Sequence, residues 1–281
     1  MTSVKFTKMQ GLGNDFVIID NEEYKKINTP LNELAIKLCH RNFGIGADGL
    51  IIVNPNPKQG DIGWFFYNSD GSIAQMCGNG MRCFAKYVYD KKLVDKKEFA
   101  VETEAGIITP QIIDENTIKV NMSKPILEPN KIPAKVSSNL NFEITADDRT
   151  FKANAVSMGN PHCIIFTDED TKQLAVKYGP FIEKHETFPE KTNVEFAKIV
   201  SQNEINLDVW ERGCAITLAC GTGACATVTA AILNGLCKSP VKVNLPGGSL
   251  KIEWDGSINE PDKNIFMSGD AKYVFVGEIN I

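Results

Sequence analysis

Histidine is scarce: His40, His162 and His185 are the only three in 281 residues. Zinc would need other ligands, and the spacings Cys77 to Cys83 and Cys220 to Cys225 are too wide for the usual cysteine pairs. No Cys-x-x-Cys occurs, so no local redox dithiol is encoded. Neither glycine-rich turn ends in the Gly-Lys-Ser/Thr of a phosphate loop, and the dinucleotide fingerprint is incomplete. No apolar run reaches the roughly 18 residues of a membrane span. The opening "MTSVKFTKMQGLGNDFVIID" lacks a signal-peptide core and carries acidic residues. The expected location is therefore the cytoplasm, away from membranes. A formal net charge of −5 and the lack of any basic tract argue against nucleic acid as a partner.

What remains is a chain long enough for two domains, with eight cysteines. In a reducing compartment these are mostly thiols, so the question is which are reactive. "VKFTKMQ" and "FVIID" read as strands around "GLGN". "TPLNELAIKLCHR" reads as a helix with Thr29 as cap, Pro30 in the first turn and Leu31, Leu34, Ala35 and Leu38 on one face. "LIIV", "IGWFFYN", "EFAVET", "GIITPQII" and "TIKVNM" read as strands. A helix after Cys77 presents Met81, Phe84, Ala85 and Val88. "SKPILEPNKIP", with three prolines, marks a crossing between domains or an extended excursion. Beyond it, "FKANAVS", "CIIF", "INLDVWERG", "VKVNLP", "LKIEWD" and "YVFVGEI" read as strands. Helices are expected near 171–185 and after Cys220.

Landmarks recur at nearly one offset. Cys220 follows Cys77 by 143 positions (220 − 77), and Asn160 of "SMGNPHCII" follows Asn14 of "GLGNDFVII" by 146 (160 − 14). Asn68 lies nine before Cys77, and Glu211 nine before Cys220. Three matches in order point to an internal duplication, whose copies would pack about a pseudo-twofold axis.

Each copy carries Cys-Gly-x-Gly opening a helix, "CGNG" and "CGTG". Such a turn exposes backbone N–H groups that attract an anion and favour a thiolate. Alone, the motif is more often packing, because cysteine behaves as a small apolar residue. Repeated, it suggests two thiols meeting in space. They could form a redox pair, or they could stand as thiolate and thiol on two sides of a carbon acid and invert it.

"GLGNDFVIID", "GIGADG", "NSDGS…CGNGMRC", "VSMGNPHC", "FPEKTNVEF", "ERG…ACGTGACA" and "LPGGSLKIEW" together resemble the diaminopimelate epimerase family over nearly the whole chain. The resemblance implies an isomerase that interconverts LL- and meso-diaminopimelate without pyridoxal phosphate, metal or any other cofactor. It implies an α/β (α+β) fold of two pseudo-symmetric lobes. Each lobe is a mixed, mostly antiparallel sheet wrapped around a central helix, with the active site in the cleft between them. Residues 1–122 with a C-terminal strand at about 267–281 would form the first lobe, and 123–266 the second.

By the same resemblance Cys77 and Cys220 are the acid/base pair, and His162 and Glu211 tune their pKa values. The amides of Gly78, Asn79, Gly221 and Thr222 hold the reacting carboxylate. Asn14 lies near the reacting amine; Asn68, Asn160 and Asn193 make polar contacts. Arg212 takes the distal carboxylate and Glu211 the distal ammonium. Gly49 stands where many members have Gln, so it lines the site at most through its backbone. Thr222 replaces a frequent Ser. Phe275 stands where some members have a Tyr linked to dimer contact; a homodimer is still expected. Cys39, Cys83, Cys163, Cys225 and Cys237 read as packing. The alternatives are a two-cysteine racemase for another amino acid, such as histidine or proline, and a thiol-redox protein.

Overall fold

The computed structural model describes residues 2–74 and 76–281. In chain order the first elements are β1 (Ser3–Gly11), β2 (Asn14–Ile19), α1 (Asn21–Tyr24), α2 (Leu31–Cys39), β3 (Gly49–Asn54), β4 (Ile62–Asn68) and α3 (Gly78–Asp90). Then come β5 (Val101–Thr103), β6 (Gly106–Ile108), β7 (Pro110–Ile112) and β8 (Thr117–Asn121). The second half contains β9 (Phe142–Ala146), β10 (Arg149–Ser157), β11 (Pro161–Phe166), α4 (Thr171–Glu183), β12 (Asn193–Ser201), β13 (Glu204–Glu211) and β14 (Ala215–Ile216). It continues with α5 (Gly221–Leu233), β15 (Val241–Leu245), β16 (Gly248–Trp254), β17 (Ile265–Asp270) and β18 (Lys272–Asn280). Two units emerge: Met1–Val120 with Gly269–Ile281, and Asn121–Ser268.

Each unit has the same sheet grammar. In the first, β1/β2 is antiparallel, β2/β3 parallel, β3/β4 antiparallel, β4/β5 parallel and β5/β6 antiparallel. In the second, β10/β11, β11/β12, β12/β13, β13/β15 and β15/β16 repeat that alternation. Antiparallel β9 extends the second sheet beside β10, whereas the first receives β18, from the chain's end, beside β1. The two copies thus differ in which part of the chain supplies the outer strand. The mixed, mostly antiparallel α+β architecture expected from the sequence is the one found.

Helices lie on both faces of each sheet. On one face of the first, Leu34, Ala35 and Leu38 of α2 pack with Val17, Ile19, Leu50 and Ile52. These strand residues alternate with Phe16, Ile18 and Ile51, which strand geometry turns to the other face. There α3 is buried from Gly78 to Val88. Phe84 sits 5.5 Å from the Trp64 ring, and Phe16 lies edge-on to Phe66. In the second unit Cys163, Ile165, Val194 and Phe196 pack with α4, while Val156 and Ile164 meet Ala226 and Ala230 of α5. A helix buried on nearly every side is what a wrapping sheet produces.

Two local expectations are corrected. Thr29 does not cap α2. Pro30 occupies the cap position, in extended backbone at φ −54° and ψ 141°, with no side-chain cap bond. The first helical bond runs from the Leu34 N–H to the Pro30 carbonyl at 2.9 Å, which makes Pro30 the cap and leaves Thr29 one residue outside. "GIITPQII" is two strands, β6 on β5 and β7 on β8, because Pro110 has no N–H to continue one ladder. Strands β9, β12 and β17 had no reading in the sequence. Among the described residues, no helix is long and apolar enough to cross a membrane.

Phe84 is fully buried, whereas Ile36 of α2 is 49% exposed. Phe84→Ala is expected to lower stability by about 3–5 kcal/mol, read as a fall in the urea midpoint at constant slope. Ile36→Ala should move it by less than about 0.5 kcal/mol. Equal effects of the two would contradict the packing described.

Candidate active site

Both central helices begin at a cysteine. Cys77 and Cys220 occupy the N-cap positions in extended backbone, φ −144° and −124°. Each sulfur accepts the N–H three residues on, from Gly80 and from Gly223, at 3.4 Å. The amides of Gly78 and Asn79, and of Gly221 and Thr222, fall among the first four of a helix, which have no intrahelical acceptor. Each helix start therefore offers a sulfur beside N–H donors and the positive end of a helix dipole.

Around Cys77, Asn14 is held from several sides. Its Nδ2 donates to Asp48 Oδ2 at 2.6 Å, and its Oδ1 accepts from Asn79 Nδ2 at 3.3 Å and from the Cys77 thiol at 3.5 Å. Asp48 is fixed in turn by Arg41, and its N–H donates to Asp15. Burial raises the Asp15 carboxyl, but contacts with Arg41 and Lys8 outweigh it and leave Asp15 below the usual carboxylate range. Arg82, fully buried in α3, donates to Asn79 Oδ1 and to the Asp270 carbonyl. Asn68 donates to Ser72 Oγ at 2.9 Å and faces Gly49 directly across β3 and β4. A Cβ on Gly49 would stand 2.6 Å from the Phe66 ring and 2.9 Å from the Tyr67 carbonyl, so only glycine fits there.

Around Cys220, Asn193 is committed to backbone: Nδ2 donates to the Pro161 carbonyl at 3.0 Å, and Oδ1 accepts the Arg212 N–H at 2.9 Å. Asn193 thereby sets the chain direction at Glu211–Arg212. The Arg212 side chain is exposed and donates once, to the Glu190 carbonyl. Glu211 Oε1 accepts from Thr217 Oγ1 at 2.5 Å. His162 is fully buried, with Nδ1 2.7 Å from Glu195 Oε1 and Nε2 3.0 Å from Asn160 Oδ1.

The pull of a helix start toward the thiolate is overcome at Cys220. Burial pushes this thiol well above its ordinary value, and Glu211 adds to the rise. The dipole of a helix terminus favours the thiolate by at most about 2 kcal/mol, and withdrawing the sulfur from water opposes it more strongly.

Three features had no sequence reading. Glu195 is fully buried on the α5 side of β12. A Cβ on Gly223 would stand 2.7 Å from Glu195 Oε1 and 3.2 Å from Cys220 Sγ. Its signal was a lone acid at an inward strand position in "NVEF". The Asp15–Asp48–Arg41 cluster supports Asn14. Cys214 is exposed two residues beyond Arg212. Among the described residues, no group of three or more His, Cys, Asp or Glu side chains could hold a metal ion.

A family model described as diaminopimelate epimerase matches residues 6–128 and 154–274. The chain belongs to the diaminopimelate epimerase family. It is 47% identical to the diaminopimelate epimerase of Halothermothrix orenii over 99% of this chain and 98% of that one. It is likewise 47% identical to the diaminopimelate epimerase of Desulforapulum autotrophicum, over 99% of each. Among solved structures, a phenazine biosynthesis protein from Bacillus anthracis shares the fold with a TM-score of 0.73 at 15% identity, covering all of both chains.

Burial also pushes Cys39 and Cys83 up to about 12, and Cys163 well above the ordinary thiol value. The folded chain therefore keeps protons on these thiols that the unfolded chain releases above a pH of about 8.5. Their contribution to stability is fully present below that pH and is lost as pH rises. The urea midpoint should hold through neutral pH and fall between about pH 9 and 10.5. Cys220→Ala should fall less steeply. A midpoint level through that range would contradict the buried thiols.

Proposed function

We propose that this chain interconverts LL- and meso-2,6-diaminopimelate by removing and returning the α-proton, with Cys77 and Cys220 as the two acid/base groups. The activity serves lysine and peptidoglycan-precursor synthesis. The observation that carries this reading is the duplicated cysteine cap: two like units, each with a sulfur and free helix amides at one position. Inversion needs two bases on opposite faces of one carbon, and two copies of one device supply them.

Proton bookkeeping follows from burial. Cys220 rests as the thiol, so Cys77 must first release its own proton; as the thiolate it takes the α-proton, and Cys220 delivers its own to the other face. The pair is then left with its protons exchanged. As the C–H bond breaks, charge moves into the adjacent carboxylate. The amides of Gly78, Asn79, Gly221 and Thr222 stabilise it there, where fixed dipoles act without reorganising. Asn14, held by Asp48, presents its oxygen toward the reacting amine. Arg212 pairs with the distal carboxylate, and Glu211 offers its second oxygen to the distal ammonium. Asn68 and Asn160 add polar contacts, and Asn193 positions Glu211 and Arg212. Gly49 contributes backbone alone. Glu211 sets the Cys220 thiol electrostatically, and His162 acts through its neighbours.

The chain acts as a homodimer in the cytoplasm. Support for self-association comes from β18, where Tyr273, Val274, Phe275 and Val276 are all at least 40% exposed on the outer strand of its sheet. Unpaired strand edges with apolar side chains favour pairing with another chain. Sedimentation should give a dimer mass, and Phe275→Lys with Val276→Lys should shift it toward monomer. A monomer for the unchanged protein would reject this part.

In D2O, LL-diaminopimelate should gain deuterium at the α-carbon during turnover. Cys77→Ala and Cys220→Ala should each reduce inversion by at least about 10²–10⁴-fold, the usual share of one acid/base group. A single-cysteine variant with full inversion rate refutes the two-base mechanism. Faster exchange of histidine or proline than of diaminopimelate refutes the substrate.

A further inference from the structure

Glu195 is fully buried, and burial raises its carboxyl against a smaller opposing pull from His162. His162 is its one hydrogen-bond partner, and Oε2 has none among the described residues. The Ile164 and Val209 partners on the neighbouring strands are apolar. An ionised carboxylate here would leave a charged oxygen unpaired in the interior, whereas a neutral acid leaves only a carbonyl-like oxygen. A proton on Oε2 would be a buried donor without an acceptor, so the neutral acid carries it on Oε1, 2.7 Å from Nδ1.

We propose that Glu195 is a positioning residue whose carboxyl O–H donates a hydrogen bond to His162 Nδ1, holding the ring as the Nε2–H tautomer and so fixing the amide of Asn160. Nε2–H then donates to Asn160 Oδ1 at 3.0 Å. The Asn160 Nδ2 has no protein partner among the described residues and is left as a donor. An NH2 group suits a carboxylate. An ionised Glu195 would accept a hydrogen bond from Nδ1–H, leave Nε2 of a neutral His162 as an acceptor, and rotate the Asn160 amide to present its oxygen, which suits an ammonium. One buried proton thus decides which substrate group Asn160 accepts. The inference rests on the epimerase reading for its substrate carboxylate, and on geometry alone for the tautomer.

The test has two arms. In 15N spectra of histidine-labelled, substrate-free protein, with His162→Asn for assignment, His162 should carry one proton, on Nε2. Glu195→Gln, whose amide can donate to Nδ1, should keep that state, and Glu195→Leu should lose it. A wild-type His162 protonated at Nδ1, or at both nitrogens, overturns the proposal. In kinetics with diaminopimelate, Glu195→Leu should raise KM about tenfold with kcat within about threefold, the pattern of a lost ground-state contact. Glu195→Gln should restore KM. Unchanged KM in a folded Glu195→Leu protein overturns it as well. If the chain does not turn over diaminopimelate at all, the function is wrong, and the spectra still decide the tautomer.

Discussion

Sulfur is a weak acceptor, and helices ordinarily begin at an oxygen. Ser, Thr, Asp or Asn at an N-cap is worth about 1 kcal/mol over a residue that cannot cap. Here two helices begin at thiols, with N–H···S contacts of 3.4 Å. These helices cannot rely on their caps, so tertiary contacts must hold them. That constraint accounts for much of the architecture. Each sheet closes around its helix, α3 is buried from Gly78 to Val88, and the fully buried Arg82 ties its first turn to the Asp270 carbonyl.

The same burial sets the chemistry. A helix terminus pulls a thiol toward its anion, and desolvation pushes it back. At Cys220 the second effect is larger and Glu211 reinforces it. A half-buried Cys77, beside the Asn14 amide, sits in a wetter and more polar setting. Copies that began alike therefore present unlike sulfurs. The difference arises although the backbone at the two caps is nearly the same.

Asparagines illustrate how a site is shared between contact and scaffold. Asn14 is oriented by Asp48, which Arg41 holds in place. Asn193 bridges Pro161 and Arg212 through backbone groups on two strands. Asn160 is tied to His162, and His162 to Glu195. In each case a polar side chain is aimed by a second group. Buried polar groups require such partners, because an unmade hydrogen bond costs about 1–3 kcal/mol.

Local signals were enough for much of this. The Cys-Gly-x-Gly helix starts, the alternation in "FVIID" and "LIIV", and the repeat offset are properties of neighbouring residues, and they carry the family and the doubled fold. Where the reading failed, the cause was long-range. Proline at 110 divides one apolar stretch because its two halves pair with different strands. Glu195 looked like an ordinary charged residue in "NVEF". Only the parallel register of β11 with β12, which sets Ile164 beside Glu195 and His162 beside Asn193, turns it inward under α5. The protonation of Cys220 likewise depends on how much water the fold removes and which carboxyl groups it brings near. Propensity and motif act over a few residues, so the sequence determined the elements and the repeated caps. Desolvation and register act across the fold, so tertiary structure alone decided their charge and partners.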